Sequence, residues 1–135
     1  MTSLCDMKNR YKKWYPLENI PVHLYCEGLH DDYEGFRILL RGDDPTSPVL
    51  RISFSPSLAY RNIDEGDLLR TIYGIPDLGA SSLFMVENST WLEWFQEESH
   101  GIHDGEDIMH YAIYTANDCI DVLSAFDPTV EWIDL

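Results

Sequence analysis

Apolar and polar residues alternate along several short segments, a two-residue period that is typical of β-strands. The alternation predicts a strand over residues 22–26, with Val22, Leu24 and Cys26 on one face. Further strands are predicted at residues 35–41, 49–54, 82–87, 109–116 and 119–125, and residues 129–133 close the chain in an extended segment. Short turns, including one at residues 30–32, separate several neighbours, so the pairing should be mostly antiparallel.

Two other segments carry helix signals. Asp64 can cap a short helix that runs to about Tyr73, where a glycine and a proline end it. Thr90 and Glu93 have the spacing of a capping box, which opens a second helix. Together these elements predict an α+β fold. Its mostly antiparallel sheet would have about six strands, with two short helices packed on one face.

The chain has 135 residues, which is the size of one domain. It shows no apolar signal-peptide core near the start, and no apolar run approaches the roughly 20 residues that span a bilayer. Its cysteines, Cys5, Cys26 and Cys119, are odd in number and widely spaced, so we expect no disulfide framework and a cytoplasmic location. Cys26 and Cys119 are expected to be small buried residues within strands.

Charge is unevenly distributed along the chain. The 24 acids outnumber the nine bases, and the formal net charge is -15. Every Lys and Arg lies between Lys8 and Arg70, whereas residues 71–135 hold 13 acids and no Lys or Arg. This balance argues against binding nucleic acid or an anionic membrane surface. The basic residues before position 15 predict a loosely ordered leader, and the acidic half predicts a basic protein partner.

Catalytic motifs are weak. His100, His103 and Asp104 offer ligand types that suit zinc, so a small metal-dependent hydrolase is the alternative function. Cys26 and His30 could form a thiolate pair, but such chemistry needs an orienting third group. The sequence has no glycine-rich phosphate loop and no Gly-x-Ser-x-Gly elbow. We therefore predict no catalytic residue and no cofactor.

The second predicted helix carries two tryptophans, Trp91 and Trp94, whose side chains leave the axis about 60° apart, so one can pack inward while the other lies at the rim. We expect Trp94 to be an exposed anchor for a protein partner. Acidic side chains would supply the charged contacts. The predicted contacts are Glu97, Glu98, Asp104, Glu106 and Asp107, with Asp118 and Asp121 as weaker candidates.

Residues 110–122, HYAIYTANDCIDV, look like the C-terminal hairpin of small single-domain bacterial proteins. The chain as a whole resembles the immunity proteins of toxin–immunity systems, because it is short, acidic, rich in aromatics and without catalytic motifs. The resemblance implies a protein that neutralises a co-encoded toxin, often a basic nuclease, by covering its cationic active site. A third hypothesis is a scaffold subunit whose acidic half only keeps it in solution.

Overall fold

Two antiparallel sheets form the body of the protein in a computed structural model that describes residues 8–76 and 78–134. The strands are Arg10–Lys13 (β1), Tyr25–Asp32 (β2), Gly35–Arg41 (β3), Val49–Phe54 (β4), Ala59–Asp64 (β5), Leu83–Glu87 (β6), Met109–Tyr114 (β7), Asp118–Ser124 (β8) and Thr129–Ile133 (β9). The helical segments are a 3-10 turn, Glu65–Asp67, and two α-helices, Leu69–Tyr73 (α1) and Thr90–Glu98 (α2).

The predicted α+β class with about six strands is wrong. Strands make up 44% of the structure and helices 13%. Among the described residues, α2 is the only helix of seven or more residues. The nine strands form a five-stranded sheet, in the order β1-β6-β7-β8-β5, and a four-stranded sheet, β2-β3-β4-β9. Neighbouring strands pair antiparallel throughout both sheets, as the short turns predicted.

The main core lies between the two sheets, where alternate residues of each strand point inward. Ile38 and Ile52 from the four-stranded sheet and Ile113 and Val122 from the five-stranded sheet are all fully buried. Each such side chain contributes roughly 1.5–3 kcal/mol when it leaves water. The molecule is therefore a β-sandwich whose stability depends mainly on this apolar layer.

A second apolar cluster lies on the outer face of the five-stranded sheet. Phe84, Ala112 and Cys119 are buried there, and Ile72 of α1 packs against them. Trp91 of α2 contacts His110 on the same face, with 5.2 Å between ring centroids. The helical segments therefore make a third layer that positions α2 above β7.

Local differences from the sequence prediction have simple causes. The strand predicted over residues 22–26 begins instead at Tyr25. Of the residues that the alternation placed on one face, Leu24 is buried but Val22 is 45% exposed. Residues 30–32 belong to β2, and the turn follows them, ending at Gly35 with φ of 108°. Residues 10–13 of the predicted loose leader form β1 and pair with β6, while residues 1–7, with Cys5, lie outside the described residues.

No helix within the described ranges combines the length and the apolar character needed to cross a bilayer.

Candidate functional site

The most acidic surface segment begins at the end of α2 and continues through the loop to β7. Glu97 and Glu98 lie in the last turn of α2, and Asp104, Glu106 and Asp107 lie in the loop; all five are exposed. We call these five residues the acidic loop patch. No Lys or Arg occurs between residues 71 and 135, so this segment supplies no base of its own.

The loop is folded by a left-handed end to α2. The Ser99 amide donates to the carbonyl of Phe95, and the Gly101 amide donates to that of Gln96. His100 and Gly101 follow with φ of 53° and 73°, which closes the helix and turns the chain. This turn holds the acids of the loop beside those of the last helical turn.

Two large apolar side chains are exposed near the acidic loop patch. Trp94 is 53% exposed and lies one helical turn before Glu97 and Glu98, while Ile102 is 77% exposed within the loop. Trp91 is half-buried and packs against His110. Tryptophan is enriched at protein interfaces and among the residues that contribute most to binding. The structure thus places the predicted anchor next to the predicted charged contacts, and their role stays a prediction.

Asp118 lies away from the acidic loop patch. It opens β8 opposite the far end of β7, whose six residues span roughly 20 Å from the loop. Its carboxylate accepts a hydrogen bond from Asn62 at 3.1 Å. Asp64 caps the 3-10 turn, and Glu65 and Asp67 lie within it, so this end of the sheet carries a separate acidic group. The 13 acids of the second half therefore do not share one face.

Asp121 is fully buried, so the prediction that it contacts a partner is wrong. The alternation along β8 puts its side chain on the outer face of the sheet, beneath α2. Other acids of this half also meet bases of the first half. Glu93 pairs with Lys8 at 2.6 Å, and Glu131 pairs with Arg51 across β4 and β9. Only part of the acidic half is thus left free to attract a partner.

The His100, His103 and Asp104 segment does not form a metal centre. Among the residues that the structure describes, no three His, Cys, Asp or Glu side chains converge where they could hold an ion. His103 instead stacks on Phe95, with 5.4 Å between ring centroids, and its Nδ1 contacts the Glu106 carboxylate. The imidazole therefore packs the loop against α2.

Neither described cysteine is placed as a nucleophile. In β2, Cys26 lies opposite Leu40 in the core, whereas His30 lies opposite Arg37 on the outer face, so the two side chains do not meet. Burial raises the pKa of Cys26 and raises the pKa of Cys119 to about 12. Both thiols are therefore protonated at neutral pH and pack as small apolar groups.

A buried polar network connects α2 to the outer face of the five-stranded sheet. The Ser89 hydroxyl lies 2.7 Å from Nδ1 of His110, and Nε2 of His110 lies 2.7 Å from Oδ1 of Asp121. Asp121 also accepts hydrogen bonds from the Tyr114 hydroxyl at 2.9 Å and from Nε of Arg61 at 3.0 Å. Ser89, His110, Tyr114 and Asp121 thus all have hydrogen-bond partners within the network, which burial requires.

The bonds fix one consistent assignment of protons. If Nε2 of His110 donates to Asp121, Nδ1 accepts from the Ser89 hydroxyl, whose oxygen in turn accepts from the Leu92 amide at 3.0 Å. Burial, followed by the negative charge of Asp121, raises the pKa of Tyr114, so this phenol remains a donor. The network thus caps α2 and attaches it to β7 and β8.

Sequence reasoning missed this network because its members are far apart in the chain. It placed the cap one residue late, at Thr90, whereas Ser89 is the N-cap residue of α2. The one available signal was a His and an Asp at residues 110 and 121 within otherwise apolar strands. Buried polar residues of that kind are almost always hydrogen-bonded to one another or to the backbone.

Comparison of the chain with protein-family models, with curated proteins and with solved structures finds no match.

Proposed function

We propose that the protein is an immunity-type inhibitor that binds a basic toxin through the acidic loop patch and the adjacent Trp94. The single observation that carries this proposal is a run of five exposed carboxylates that begins one helical turn after an exposed tryptophan, in a segment that contains no Lys or Arg. The expected partner is a basic protein such as a nuclease, which needs a cationic groove to hold phosphate.

The binding would have two physical components. Carboxylates on one surface attract a cationic groove over distances of about a Debye length, roughly 8 Å at physiological salt, and raise the association rate. Trp94 and Ile102 would then exclude water at the centre of the contact, where large apolar side chains contribute most. Neutralisation would follow because the inhibitor covers the groove and repels the phosphates of the substrate.

The rest of the structure is suited to a rigid binding surface. The α2 helix carries both Trp94 and two of the acids, and the Ser89–His110–Asp121 network attaches it to the sheet. A preorganised surface loses little conformational entropy on binding. The carboxylates would thus be presented in a fixed arrangement.

A protection assay tests the proposal. The protein encoded beside this chain's gene is expressed with the wild-type chain or with the Glu106→Lys, Asp107→Lys variant, and cell survival is measured. The matched control is Glu65→Lys, Asp67→Lys, which makes the same charge change at the other acidic end. We expect protection by the wild type and the control but not by the loop variant. Equal protection by both variants would exclude the acidic loop patch as the surface that binds the toxin.

One observation favours a second candidate, a serine hydrolase. Ser89, His110 and Asp121 are linked in the order of a nucleophile, a base and an orienting carboxylate. However, Ser89 is only 4% exposed, and the Thr90 amide that would stabilise an oxyanion is bound by the Asn9 side chain at 2.8 Å. Labelling of Ser89 by a fluorophosphonate would support this candidate. If the folded protein is not labelled, the network has only the structural role of anchoring α2.

A further inference from the structure

A recess of about 460 Å³ opens on the flank of the sandwich, between the edge strands β1 and β9. It lies outside the acidic loop patch and shares no residue with it. Its volume falls within the range of about 300–1,000 Å³ that small-molecule sites occupy. The walls come from both sheets, so the recess is part of the folded sandwich and not of a loop.

Six of the seven residues that line the recess are aromatic or apolar. Trp14 follows β1 and packs against Tyr111 of β7, with ring centroids 5.1 Å apart and planes at 56°. Met85 and Val130 complete the apolar surface. Tyr111 is 2% exposed, so the half-buried Trp14 supplies most of the aromatic surface, on which an alkyl chain or an organic cation packs well.

The polar side of the recess consists of oxygen atoms that accept hydrogen bonds. Asp127 is exposed at the rim of the recess. The pKa of Tyr111 is raised chiefly by the burial of its ring and further by the negative charge of Asp127. Asp127 and Tyr111 both line the recess. Across the part of the chain that the structure describes, no Lys or Arg forms an ion pair with Asp127. Lys12 shares this face of β1 but does not line the recess.

We propose that this recess binds a primary alkylammonium group, the chemistry of a lysine side chain or of a free aliphatic amine. The alkyl stem packs on Trp14, and the ammonium donates hydrogen bonds to the carboxylate of Asp127 and to the hydroxyl oxygen of Tyr111. A chain with a net charge of -15 attracts cations and repels anions, which favours this ligand class over a carboxylate or a phosphate. A quaternary ammonium would lose the hydrogen bonds, and an alcohol would lose the charge.

The test is a titration of the whole chain with small probes, followed by NMR of the Trp14 indole NH, which the Trp14→Phe variant identifies. Butylammonium should shift this signal with a dissociation constant on the order of 1 mM. Butanol and tetramethylammonium, at the same concentrations, should bind at least about tenfold more weakly. Equal binding of butanol would contradict the proposal, as would the absence of a shift at Trp14.

A charge-matched pair of variants locates the contact. Asp127→Asn should weaken butylammonium about tenfold, whereas Asp134→Asn, which removes the same charge elsewhere, should leave binding unchanged. Equal effects of the two variants would show only general attraction and would overturn the assignment. The C-terminally amidated peptide Gly-Lys-Gly distinguishes the two sources of the alkylammonium group. Binding at least as tight as that of butylammonium points to a lysine of a protein, and weaker binding points to a free amine. The proposal stands even if the acidic loop patch binds no toxin.

Discussion

His110 and Asp121 meet across β7 and β8, with Nε2 of one 2.7 Å from Oδ1 of the other, and neither side chain is accessible to solvent. In register, His110 lies opposite Leu123, so the two polar residues are diagonal neighbours on the outer face of the sheet. The α2 helix covers them. Through the bond from Ser89 to His110, this contact attaches α2, the helix that carries Trp94, to the five-stranded sheet.

Removal of the charge on Asp121 should therefore destabilise the protein strongly. Asp121→Asn leaves the Arg61 guanidinium without its counter-charge and disturbs the bonds from His110 and Tyr114. We expect a loss of about 3 kcal/mol in the free energy of unfolding, as measured by urea denaturation. Asp118→Asn, a partly exposed site on the same strand, should change it by less than about 0.5 kcal/mol. Similar values for both variants would contradict the proposed anchoring.

The N-cap of α2 can be located by a pair of alanine variants. Ser89→Ala removes both the cap bond to the Leu92 amide and the bond to His110, so it should cost about 2 kcal/mol. Thr90→Ala changes an exposed side chain and should cost less than about 0.5 kcal/mol. Thermal unfolding monitored by circular dichroism measures both. The reverse order would place the cap at Thr90.

Gly101 is the residue that allows the chain to turn into the acidic loop. Its φ is 73°, and a Cβ there would lie 2.7 Å from Oδ2 of Asp104. Gly101→Ala should cost at least about 1–2 kcal/mol and displace Asp104. Gly105→Ala is the control, because a Cβ at Gly105 has nothing within 4 Å. If both variants unfold at the same urea concentration as the wild type, the loop is not held as described.

Asp32 should titrate below its ordinary pKa of 3.8, chiefly because the Arg37 guanidinium donates a hydrogen bond to its carboxylate at 2.8 Å. Because the pKa of Asp32 is lower in the folded state, its ionisation stabilises the protein at pH values above the pKa of the unfolded state. This stabilisation is lost as the pH falls through the pKa of the folded state. Arg37→Gln should raise the pKa of Asp32 in an NMR titration, and its destabilising effect should vanish at lower pH. An unchanged pKa in the variant would show that Arg37 has no such role.

The sequence predicted the strands with clear apolar alternation well. Gly35–Arg41 and Val49–Phe54 have the expected bounds, because apolar residues alternate with polar ones between strong turn signals. It missed β1 and β5, the two edges of one sheet, which are polar and half-exposed. Pairing with a neighbour, and not local pattern, makes those segments strands. The division into two sheets depends on long-range pairing, such as that of β4 with β9, which alternation does not show.

The candidate site was predicted only in part, for a related reason. The exposure of Trp94 was predicted, although the spacing of Trp91 and Trp94, three residues apart on one side of the helix, does not by itself decide which of them is buried. The fate of Asp121 depends on which face of β8 meets α2, and its partners come from β5 and β7. A count of acids along the chain cannot distinguish a buried, paired carboxylate from a free one.

The most direct test of the central claim is the association rate of this chain with the product of the neighbouring gene, measured by stopped-flow fluorescence at two salt concentrations. The account predicts fast association that slows by at least about tenfold as salt rises, because exposed charges are screened. The Glu106→Lys, Asp107→Lys variant should associate slowly at both concentrations. A wild-type rate that does not depend on salt, or a loop variant that matches the wild type, would contradict it.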